Sequence, residues 1–399
     1  MKCFVTGASG FIGANLVHEL VANRHRVRAL LRPGSDLRGL QGVEFERVEG
    51  DLSDRARLAQ AMEGCDWCFH VAASYHLWLR DYAPMYEANV QGTRNVIEAA
   101  AQAGCMRIVY TSTVGCIGLP VPFEGRVTPS DESTQVREDQ MSNHYKRSKW
   151  QAEQVATTLA RRGMPVIIVN PSTPVGPRDV KPTPTGQIIV DFLNRKMPAY
   201  LDTGLNWVHV RDVAIGHILA ARNGSIGQRY ILGHAEGNWT MKQALDVLAK
   251  VSGVAAPEWR IPYKLALIAA HMDEALSRLT GRPPPSPPRR GSHGEAQDVL
   301  QPRQGNSRTP TAPNAPRRGA GRCRQMVSGK RLCQMSRGLL RSPWHTTHQE
   351  LRKLLPLPCS RGEGSPSVVY PADLAVGSVA LCPNAGERSA DFSGAAIVK

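Results

Sequence analysis

The sequence predicts an α/β fold in which helices flank a doubly wound, mostly parallel β-sheet. Three observations predict it. Short apolar runs alternate with amphipathic helical segments as far as residue 171, a glycine-rich turn joins the first run to the first helix, and the pattern loosens after residue 171. Because alternating strands and helices pair in parallel through right-handed crossovers, we expect the first part of the chain to form one open sheet.

Each predicted element follows from its own hydrophobic pattern. Apolar runs predict strands over residues 2–6, 27–31, 43–48, 67–72, 107–111 and 165–169. Apolar side chains at helical spacing predict helices over residues 11–23, 55–63, 85–103 and 143–162. Further along, the pattern predicts helices near residues 186–195, 211–222 and 240–251 and a strand near residues 229–232. We therefore expect a sheet domain over residues 1–171 and a smaller lobe over residues 172–282.

The composition changes at Pro283. Residues 283–399 hold 15 of the 29 prolines and 17 Lys and Arg against seven Asp and Glu, which accounts for +10 of the net charge of +15. The prolines at residues 283–288 cannot lie inside a helix or a sheet. We therefore expect a disordered, unpatterned basic tail. Since the preceding residues carry only +5, the charge does not predict a nucleic-acid partner.

The nine cysteines do not predict a metal site. Cys65 and Cys68 form a C-x-x-C pair, but no second pair or nearby set of histidines completes a zinc site. Buried reduced thiols are favoured over a metal or redox function, which fits a cytoplasmic protein. We also expect no signal peptide and no membrane span, because no segment has the ~20 apolar residues that cross a bilayer.

The glycine-rich turn has the spacing G-x-x-G-x-x-G, with Gly7, Gly10 and Gly13. The first glycine permits a tight turn, the second lets backbone amides approach a pyrophosphate, and the third allows the helix to pack closely on the strand. The anion would lie at the positive N-terminus of the helix. Because the turn follows a predicted strand and opens an amphipathic helix, dinucleotide binding is favoured over a purely structural turn.

Two polar residues follow the second and third predicted strands. Arg32 stands where NAD-selective proteins place an acidic residue on the ribose 2′-hydroxyl. A guanidinium there can hold a 2′-phosphate, so NADP is favoured over NAD, with a solvated surface arginine as the alternative. Asp51 could accept a hydrogen bond from the adenine amino group. Its alternative role is to cap the next helix, with Ser53 as a competitor.

Tyr145 and Lys149 are four residues apart on a predicted helix and so share one face. A phenol is a poor acid or base at neutral pH, but a nearby ammonium favours the phenolate and lowers its pKa towards a useful range. Such a pair suits proton transfer to or from a substrate oxygen. A chance pair on an exposed helix is the alternative, which the glycine-rich turn upstream disfavours.

Two further segments carry candidate polar groups. Residues 110–113 end a predicted strand at the same rim of the sheet, where a hydroxyl could bond to a substrate oxygen; strand-end capping is the alternative. Asn89 lies inside a predicted helix, where asparagine is unfavourable, and this indicates a buried polar role.

Taken in order, these motifs resemble the extended short-chain dehydrogenase/reductase family, which includes nucleotide-sugar epimerases and dehydratases. The resemblance covers residues 1 to about 282 and extends to His70-Val71-Ala72-Ala73, Gly92-Thr93, Asn170-Pro171 and residues 208–214. It implies a Rossmann-type sheet with a substrate-binding C-terminal lobe. It also implies that Tyr145 is the acid/base, that Lys149 orients the ribose, and that Thr113 holds the substrate hydroxyl, with Ser112 a weaker candidate. The implied cofactor contacts are Gly7, Gly10, Phe11, Ile12, Gly13, Arg32, Asp51, Leu52, Ala72, Ala73, Asn89, Tyr145, Lys149 and Pro171.

Within the family, residues 75–78, 175–186 and 198–207 are most similar to hopanoid-associated sugar epimerases, with dihydroflavonol-4-reductase-like proteins as near relatives. The resemblance implies NAD(P)-dependent epimerase or dehydratase chemistry on a small molecule, through transient oxidation. The alternatives are an NADPH-dependent carbonyl reductase and a non-catalytic dinucleotide sensor, which would not need the Tyr145/Lys149 pair. The resemblance also implies a homodimer formed through the helices over residues 85–103 and 143–162.

The tail departs from this family, whose members continue with a basic and aromatic segment and a final helix. Read one base later, codons for residues 291–305 can encode Val-Arg-Met-Ala-Lys-His-Lys-Met-Phe-Phe-Asn-Pro-Ala-Lys-Ala, and those for residues 326–333 can encode Trp-Phe-Arg-Ala-Asn-Gly-Tyr-Val. We therefore hypothesise that the reading frame was lost between about residues 282 and 291, with a genuine basic appendage as the alternative. Sequencing the gene across this window distinguishes them, since an intact frame excludes the frameshift.

Overall fold

The computed structural model describes residues 1–76, 79–118, 122–123, 126–127, 130–201, 203–262, 265 and 397–398. The α-helices within these ranges are α1 (Phe11–Ala22), α2 (Arg55–Met62), α3 (Ala83–Tyr86), α4 (Gly92–Gln102), α5 (His144–Arg161), α6 (Pro184–Leu193), α7 (Val210–Asn223) and α8 (Met241–Ser252). The β-strands are β1 (Lys2–Thr6), β2 (Arg26–Leu31), β3 (Glu46–Glu49), β4 (Trp67–His70), β5 (Arg107–Thr111), β6 (Pro122–Phe123), β7 (Arg126–Val127), β8 (Val166–Pro171), β9 (Thr173–Val175), β10 (Ala199–Leu201), β11 (Gly204–His209), β12 (Arg229–Leu232), β13 (Asn238–Thr240), β14 (Trp259–Ile261) and β15 (Ile397–Val398).

The main sheet has the predicted doubly wound topology. Seven parallel strands lie in the order β3-β2-β1-β4-β5-β8-β12, and β15 pairs antiparallel with β12 at the edge. The order reverses between β1 and β4, where Thr6 lies opposite both Leu30 and His70 in the strand register. The carboxyl ends of the central strands therefore meet at one rim, as the Rossmann-type prediction requires.

Helices cover both faces of this sheet. On one face, Leu16 of α1 and Val213 of α7 join the buried strand residues in one core. On the other face, Leu58, Ile97 and Leu159 from α2, α4 and α5 form a second core. All six residues of β8 are buried, because a strand in the middle of a parallel sheet is covered from both sides.

The predicted helix over residues 85–103 is divided in the structure. α3 ends at Tyr86, a π-helical turn covers Glu87–Gln91, and α4 begins at Gly92. The wider turn contains Asn89, whose side chain bonds to groups outside the helix. Hydrophobic periodicity identified the helical segment but not this turn, because the turn is stabilised by tertiary contacts rather than by the apolar pattern.

The third strand begins later than predicted. It covers Glu46–Glu49 rather than residues 43–48 and lies at the edge of the sheet. Val43 and Phe45 instead pack against the core on the α1 face. Glu46 starts the strand and forms an ion pair with Arg28 of β2 at 2.7 Å. The prediction began too early because Val43 and Phe45 are apolar and partly buried against the core, although they precede the strand.

The residues after Pro171 contribute to both parts of the fold. β12 joins the main sheet, and α7 packs on the face that α1 covers. A smaller lobe consists of the sheet β13-β11-β9 with α6 and α8, packed around Phe192, Trp207 and Leu245. The sequence did not predict β9 and β13 of this lobe, since three residues are too few to show alternation, and it also missed the six-residue β11.

Three further predictions concern the chain as a whole. Cys65 and Cys68 are buried free thiols, as predicted, and burial raises the pKa of both. In the part of the chain that the structure describes, no helix is long and apolar enough to cross a membrane. The tail predicted over residues 283–399 lies outside the described residues except for β15.

Candidate active site

The glycine-rich turn after β1 leaves no room for a side chain at its first and third glycines. Gly7 has a φ of +71°, and a Cβ there would lie 2.5 Å from the backbone nitrogen of Ala72. A Cβ on Gly13 would lie 2.1 Å from the carbonyl oxygen of Gly7. Gly10 is the N-cap of α1 and offers no side-chain acceptor to the first amides of the helix. A bare backbone at a helix N-terminus fits the pyrophosphate of a dinucleotide.

A cleft of about 1420 Å³ lies over the carboxyl ends of the strands. It extends from the glycine-rich turn, past the ends of β5 and β8, to Asn206 and Trp239 of the smaller lobe. Ligands of doubly wound sheets bind at the switch point, which this cleft crosses. Every predicted site residue except Asn89 lines it: Gly7, Gly10, Phe11, Ile12, Gly13, Arg32, Asp51, Leu52, Ala72, Ala73, Thr113, Tyr145, Lys149 and Pro171.

Tyr145 and Lys149 lie on α5 and both line the cleft. Lys149 is 2% exposed, and its Nζ donates to the carbonyl oxygen of Thr111 at 2.7 Å. The same nitrogen lies 4.6 Å from the centre of the Tyr110 ring. Burial lowers the pKa of Lys149 to about 8. The half-buried Tyr145 ring meets the Tyr75 ring edge-on. Because Tyr145 and Lys149 are one helical turn apart on α5, a phenol and an ammonium lie together in the lining of the cleft.

The hydroxyls of Ser112 and Thr113 have different partners. Ser112 is buried, and its Oγ donates to Oε2 of Glu153 at 2.5 Å. The Oγ1 of Thr113 accepts the N–H of Gly115 at 3.2 Å, and no residue that the structure describes accepts the Thr113 O–H. Thr113 can therefore donate to a substrate oxygen, whereas the proton of Ser112 is already bonded inside the protein.

Asn89 lies behind the cleft rather than in its wall. Its Oδ1 accepts the N–H of Ser74 at 2.7 Å, and its Nδ2 donates to the Ser74 carbonyl at 3.0 Å and to the Ser148 hydroxyl at 2.9 Å. These bonds tie the loop after β4 to the π-helical turn and to α5. The predicted buried polar role of Asn89 is confirmed, and its direct contact with a cofactor stays a prediction.

Arg32 and Asp51 lie at the ends of β2 and β3, where they line the cleft. Arg32 is exposed, and its guanidinium forms no ion pair with a residue that the structure describes. The Oδ1 of Asp51 accepts the N–H and the hydroxyl of Ser53 at 3.0 and 2.9 Å. The N-cap of α2 is Asp54, which accepts the N–H of Arg57. Neither Asp51 nor Ser53 is therefore the helix cap.

Two buried histidines support the strand ends beside the cleft. His70 bonds to Thr6 at 2.8 Å and to Thr93 at 3.0 Å, and His217 bonds to the Thr111 hydroxyl at 2.9 Å. Burial lowers the pKa of His70 to about 3 and that of His217 to about 4. Both rings are therefore neutral at pH 7 and join neighbouring elements through hydrogen bonds.

The sequence did not single out three polar residues of this region. Asn206 lines the cleft from the smaller lobe, and its Oδ1 accepts the Ser172 hydroxyl at 2.9 Å. Lys146 is buried and lines the same wall as Lys149. Glu153 is buried behind that wall. Lys146 and Glu153 had a local signal, their spacing of three and four residues from Lys149 on one helix, whereas Asn206 reaches the cleft through tertiary packing.

Comparison with known proteins shows what this chain is similar to. Residues 3–233 match the model described as the NAD dependent epimerase/dehydratase family. The chain is 46% identical over 300 residues to a protein of Synechocystis sp. provisionally named dihydroflavonol 4-reductase, which covers 74% of this chain and 85% of that protein. It is 35% identical to sterol demethylase protein B of Methylococcus capsulatus over 278 residues, or 70% of this chain and 83% of that one.

Solved structures give the same fold. The crystal structure of gox2253 is 43% identical to the chain, with a TM-score of 0.64 over 74% of this chain and 88% of the other. A nucleoside-diphosphate-sugar epimerase from Pseudomonas aeruginosa has a TM-score of 0.60 over 76% of this chain and 93% of the other. At 24% identity, the second likeness concerns the fold alone.

Proposed function

Because this chain belongs to the NAD dependent epimerase/dehydratase family, we propose that it reduces a carbonyl compound, or oxidises the corresponding alcohol, with a nicotinamide dinucleotide. One observation carries the proposal: Thr113, Tyr145 and Lys149 line the same cleft as the glycine-rich turn. A hydroxyl donor, a phenol and a buried ammonium thus lie in one cleft with a turn that fits a pyrophosphate.

The reaction assigns a separate task to each of these side chains. Thr113 donates a hydrogen bond to the substrate oxygen and so fixes the carbon that reacts. The phenol of Tyr145 gives its Oη proton to that oxygen during reduction and takes it back during oxidation. Lys149 holds the cofactor ribose, and its charge favours the phenolate. The nicotinamide, when bound, supplies or accepts the hydride.

The cofactor that best fits is NADP, with NAD as the second candidate. The bare backbone at Gly7 and Gly13 and the N-terminus of α1 suit a pyrophosphate. Arg32 can hold a 2′-phosphate, and Asp51 can accept the adenine amino group. Leu52 and Pro171, which line the cleft, provide apolar contacts.

Net reduction is favoured over sugar epimerisation by the charges in the cleft. Among the described residues that line it, the lysines and arginines are Arg32, Lys146 and Lys149. Arg32 and Lys149 serve the cofactor in this proposal, which leaves one lysine for the diphosphate of a nucleotide sugar. Phosphate oxygens are strong acceptors that usually take several cationic or amide donors. The similar Synechocystis protein, provisionally named dihydroflavonol 4-reductase, also supports a reductase.

Epimerisation through transient oxidation is the second candidate, because the matching family model is named for it. It uses the same proton transfer by Tyr145 but keeps the cofactor bound through a full cycle. The link to hopanoids and the homodimer through α4 and α5 stay predictions from the resemblance.

A turnover assay distinguishes the two reactions. The purified chain is incubated with NADPH or NADH and a panel of ketones and aldehydes, and separately with nucleotide sugars, while absorbance at the nicotinamide band is followed. Loss of NADPH in equal amount to the alcohol formed supports the reductase. An isomerised sugar with unchanged cofactor supports the epimerase and overturns the reductase. No turnover in either arm overturns the proposed function.

A further inference from the structure

Glu153 is a buried carboxylate behind the proposed site. It lies on α5 one turn beyond Lys149, is 3% exposed, and does not line the cleft. Its Oε2 accepts the Ser112 hydroxyl at 2.5 Å and the Asn170 amide at 2.9 Å. Its Oε1 pairs with Nη1 of Arg229 at 3.1 Å. A carboxylate is retained in such a place only when its charge and its lone pairs are satisfied, as they are here.

These bonds join three strand ends to the helix that carries Tyr145. Ser112 follows β5, Asn170 lies in β8, and Arg229 starts β12. The amide of Asn170 also donates to the carbonyl oxygen of Thr113 at 2.9 Å. The backbone of Thr113 is therefore held from two sides, through its neighbour Ser112 and through Asn170, and both lead to one carboxylate.

Charged and titratable groups from every neighbouring element face Glu153. They are Arg229 of β12, Tyr110 of β5, Cys116 of the turn after β5 and Lys149 of α5. Glu132, in the loop before α5, contacts Arg229 through its backbone carbonyl. Burial raises the pKa of Glu132, and burial likewise raises the pKa values of Tyr110 and Cys116. Burial lowers the pKa of Lys149, and the Glu153 charge acts in the opposite direction. The carboxylate thus bonds to the residues around Thr113 and lies one helical turn from Lys149.

We propose that Glu153 is a positioning residue of this site, which fixes the Thr113 hydroxyl against Tyr145 and places a carboxylate one helical turn from Lys149. The inference rests on the proposed function. It requires that loss of the carboxylate affects turnover more than cofactor binding, because the glycine-rich turn and Arg32 lie at the other end of the cleft. A misplacement of a reacting group by about 1 Å can cost about 100-fold in rate.

The test compares the wild type with Glu153→Gln in the full-length chain, with NADPH and the ketone of the panel that the wild type reduces fastest. We expect the Kd for NADPH to stay within about twofold, kcat to fall at least about tenfold and KM to change less. The alkaline limb of the kcat profile should move to lower pH, because Lys149 loses the charge that favours its ammonium. A role in stability alone would change the melting temperature but not these quantities in the folded enzyme.

Glu98→Gln is the matched control, since it also removes a carboxylate that pairs with an arginine, Arg55, on the surface of α4. We expect it to leave kcat, KM and the pH profile unchanged. If Glu153→Gln does not fold, Glu153→Asp keeps the charge but withdraws the oxygen from Ser112, and should lower kcat without moving the pH profile. Wild-type kcat in whichever variant folds overturns the positioning role alone, whereas a wild type without turnover overturns the proposed function beneath it.

Discussion

The ring of Tyr75 meets the ring of Tyr145 edge-on, with 4.4 Å between their centroids and 81° between their planes. Tyr75 lies in the loop after β4. The side chain of Asn89 forms hydrogen bonds with both the N–H and the carbonyl oxygen of the preceding residue, Ser74. An edge-on contact of two aromatic rings contributes about 0.5–1.5 kcal/mol beyond the burial of their area. One buried amide therefore sets the position of the loop that packs against the proposed acid/base.

Replacement of Asn89 by alanine should loosen this loop. The change removes the partners of both Ser74 backbone groups, so we expect the free energy of unfolding to fall by about 1–3 kcal/mol. The KM for the carbonyl substrate should rise, because Tyr75 no longer has a fixed place beside Tyr145. Urea unfolding and steady-state kinetics measure the two effects. Asn23→Ala is the control, because it removes the hydrogen bond from the Asn23 side chain to the Glu19 carbonyl oxygen at the end of α1. It should lower the free energy of unfolding clearly less than Asn89→Ala. An equal decrease in both variants would contradict the prediction.

The groups that carry the proposed chemistry were predictable because their signals are local. The glycine-rich turn extends over seven residues, and Tyr145 and Lys149 lie one helical turn apart, so backbone geometry alone brings each set together. Thr113 was predictable for a related reason, since the ends of parallel strands meet at one rim. The hydrophobic pattern likewise predicted the main strands and helices.

The remaining features depend on contacts between distant parts of the chain. Asn206 reaches the cleft only because β11 pairs with β9 and β13. Those two partner strands have three residues each, which is too few to show alternation. The π-helical turn at Asn89 depends on a bond to Ser148, 59 residues away. Glu153 likewise bonds to Ser112, Asn170 and Arg229, and Asn170 bonds to Thr113. These bonds join β5, β8 and β12 to α5, and the hydrophobic periodicity of the sequence gives no sign of them.

Replacement of Tyr145 by phenylalanine should remove the proton donor and keep the ring. We expect kcat/KM to fall by about 10²–10⁴-fold, the usual contribution of a positioned acid or base. The Kd for NADPH, measured by fluorescence, should stay near the wild-type value. Tyr86→Phe is the control, because that phenol bonds to His144 at 3.1 Å and lies outside the cleft lining. Substantial turnover by Tyr145→Phe would show that another group moves the proton.

Replacement of Arg32 by alanine should separate the two dinucleotides. A guanidinium on a 2′-phosphate forms charge-assisted hydrogen bonds of about 1.5–3 kcal/mol, so the Kd for NADPH should rise about 10- to 150-fold. The Kd for NADH, which has no 2′-phosphate, should change little. Arg26→Ala, at the opposite end of β2, should affect neither. Calorimetry with both cofactors measures this, and equal weakening of NADPH and NADH would exclude a 2′-phosphate contact.

The buried histidines predict how stability depends on pH. His70 and His217 have folded pKa values of about 3 and about 4, below the value of about 6.5 in an unfolded chain. Above pH 6.5 both are neutral in both states and contribute no pH dependence. Below it, the unfolded chain binds protons that the folded chain cannot, so the free energy of unfolding falls as pH falls. Each histidine contributes about 1.4 kcal/mol per pH unit until its folded pKa is reached.

His217→Gln tests this sign and size. The variant lacks one group that takes up a proton on unfolding. Its free energy of unfolding should therefore fall less steeply with decreasing pH than that of the wild type between pH 6 and pH 4.5. Burial raises the pKa of Asp212 to about 6, which acts in the opposite direction but equally in both proteins, and so cancels in the difference. Urea unfolding of both proteins at several pH values between 6 and 4.5 measures the difference. Equal slopes in the wild type and His217→Gln would mean that the folded state protonates His217 as readily as the unfolded chain does.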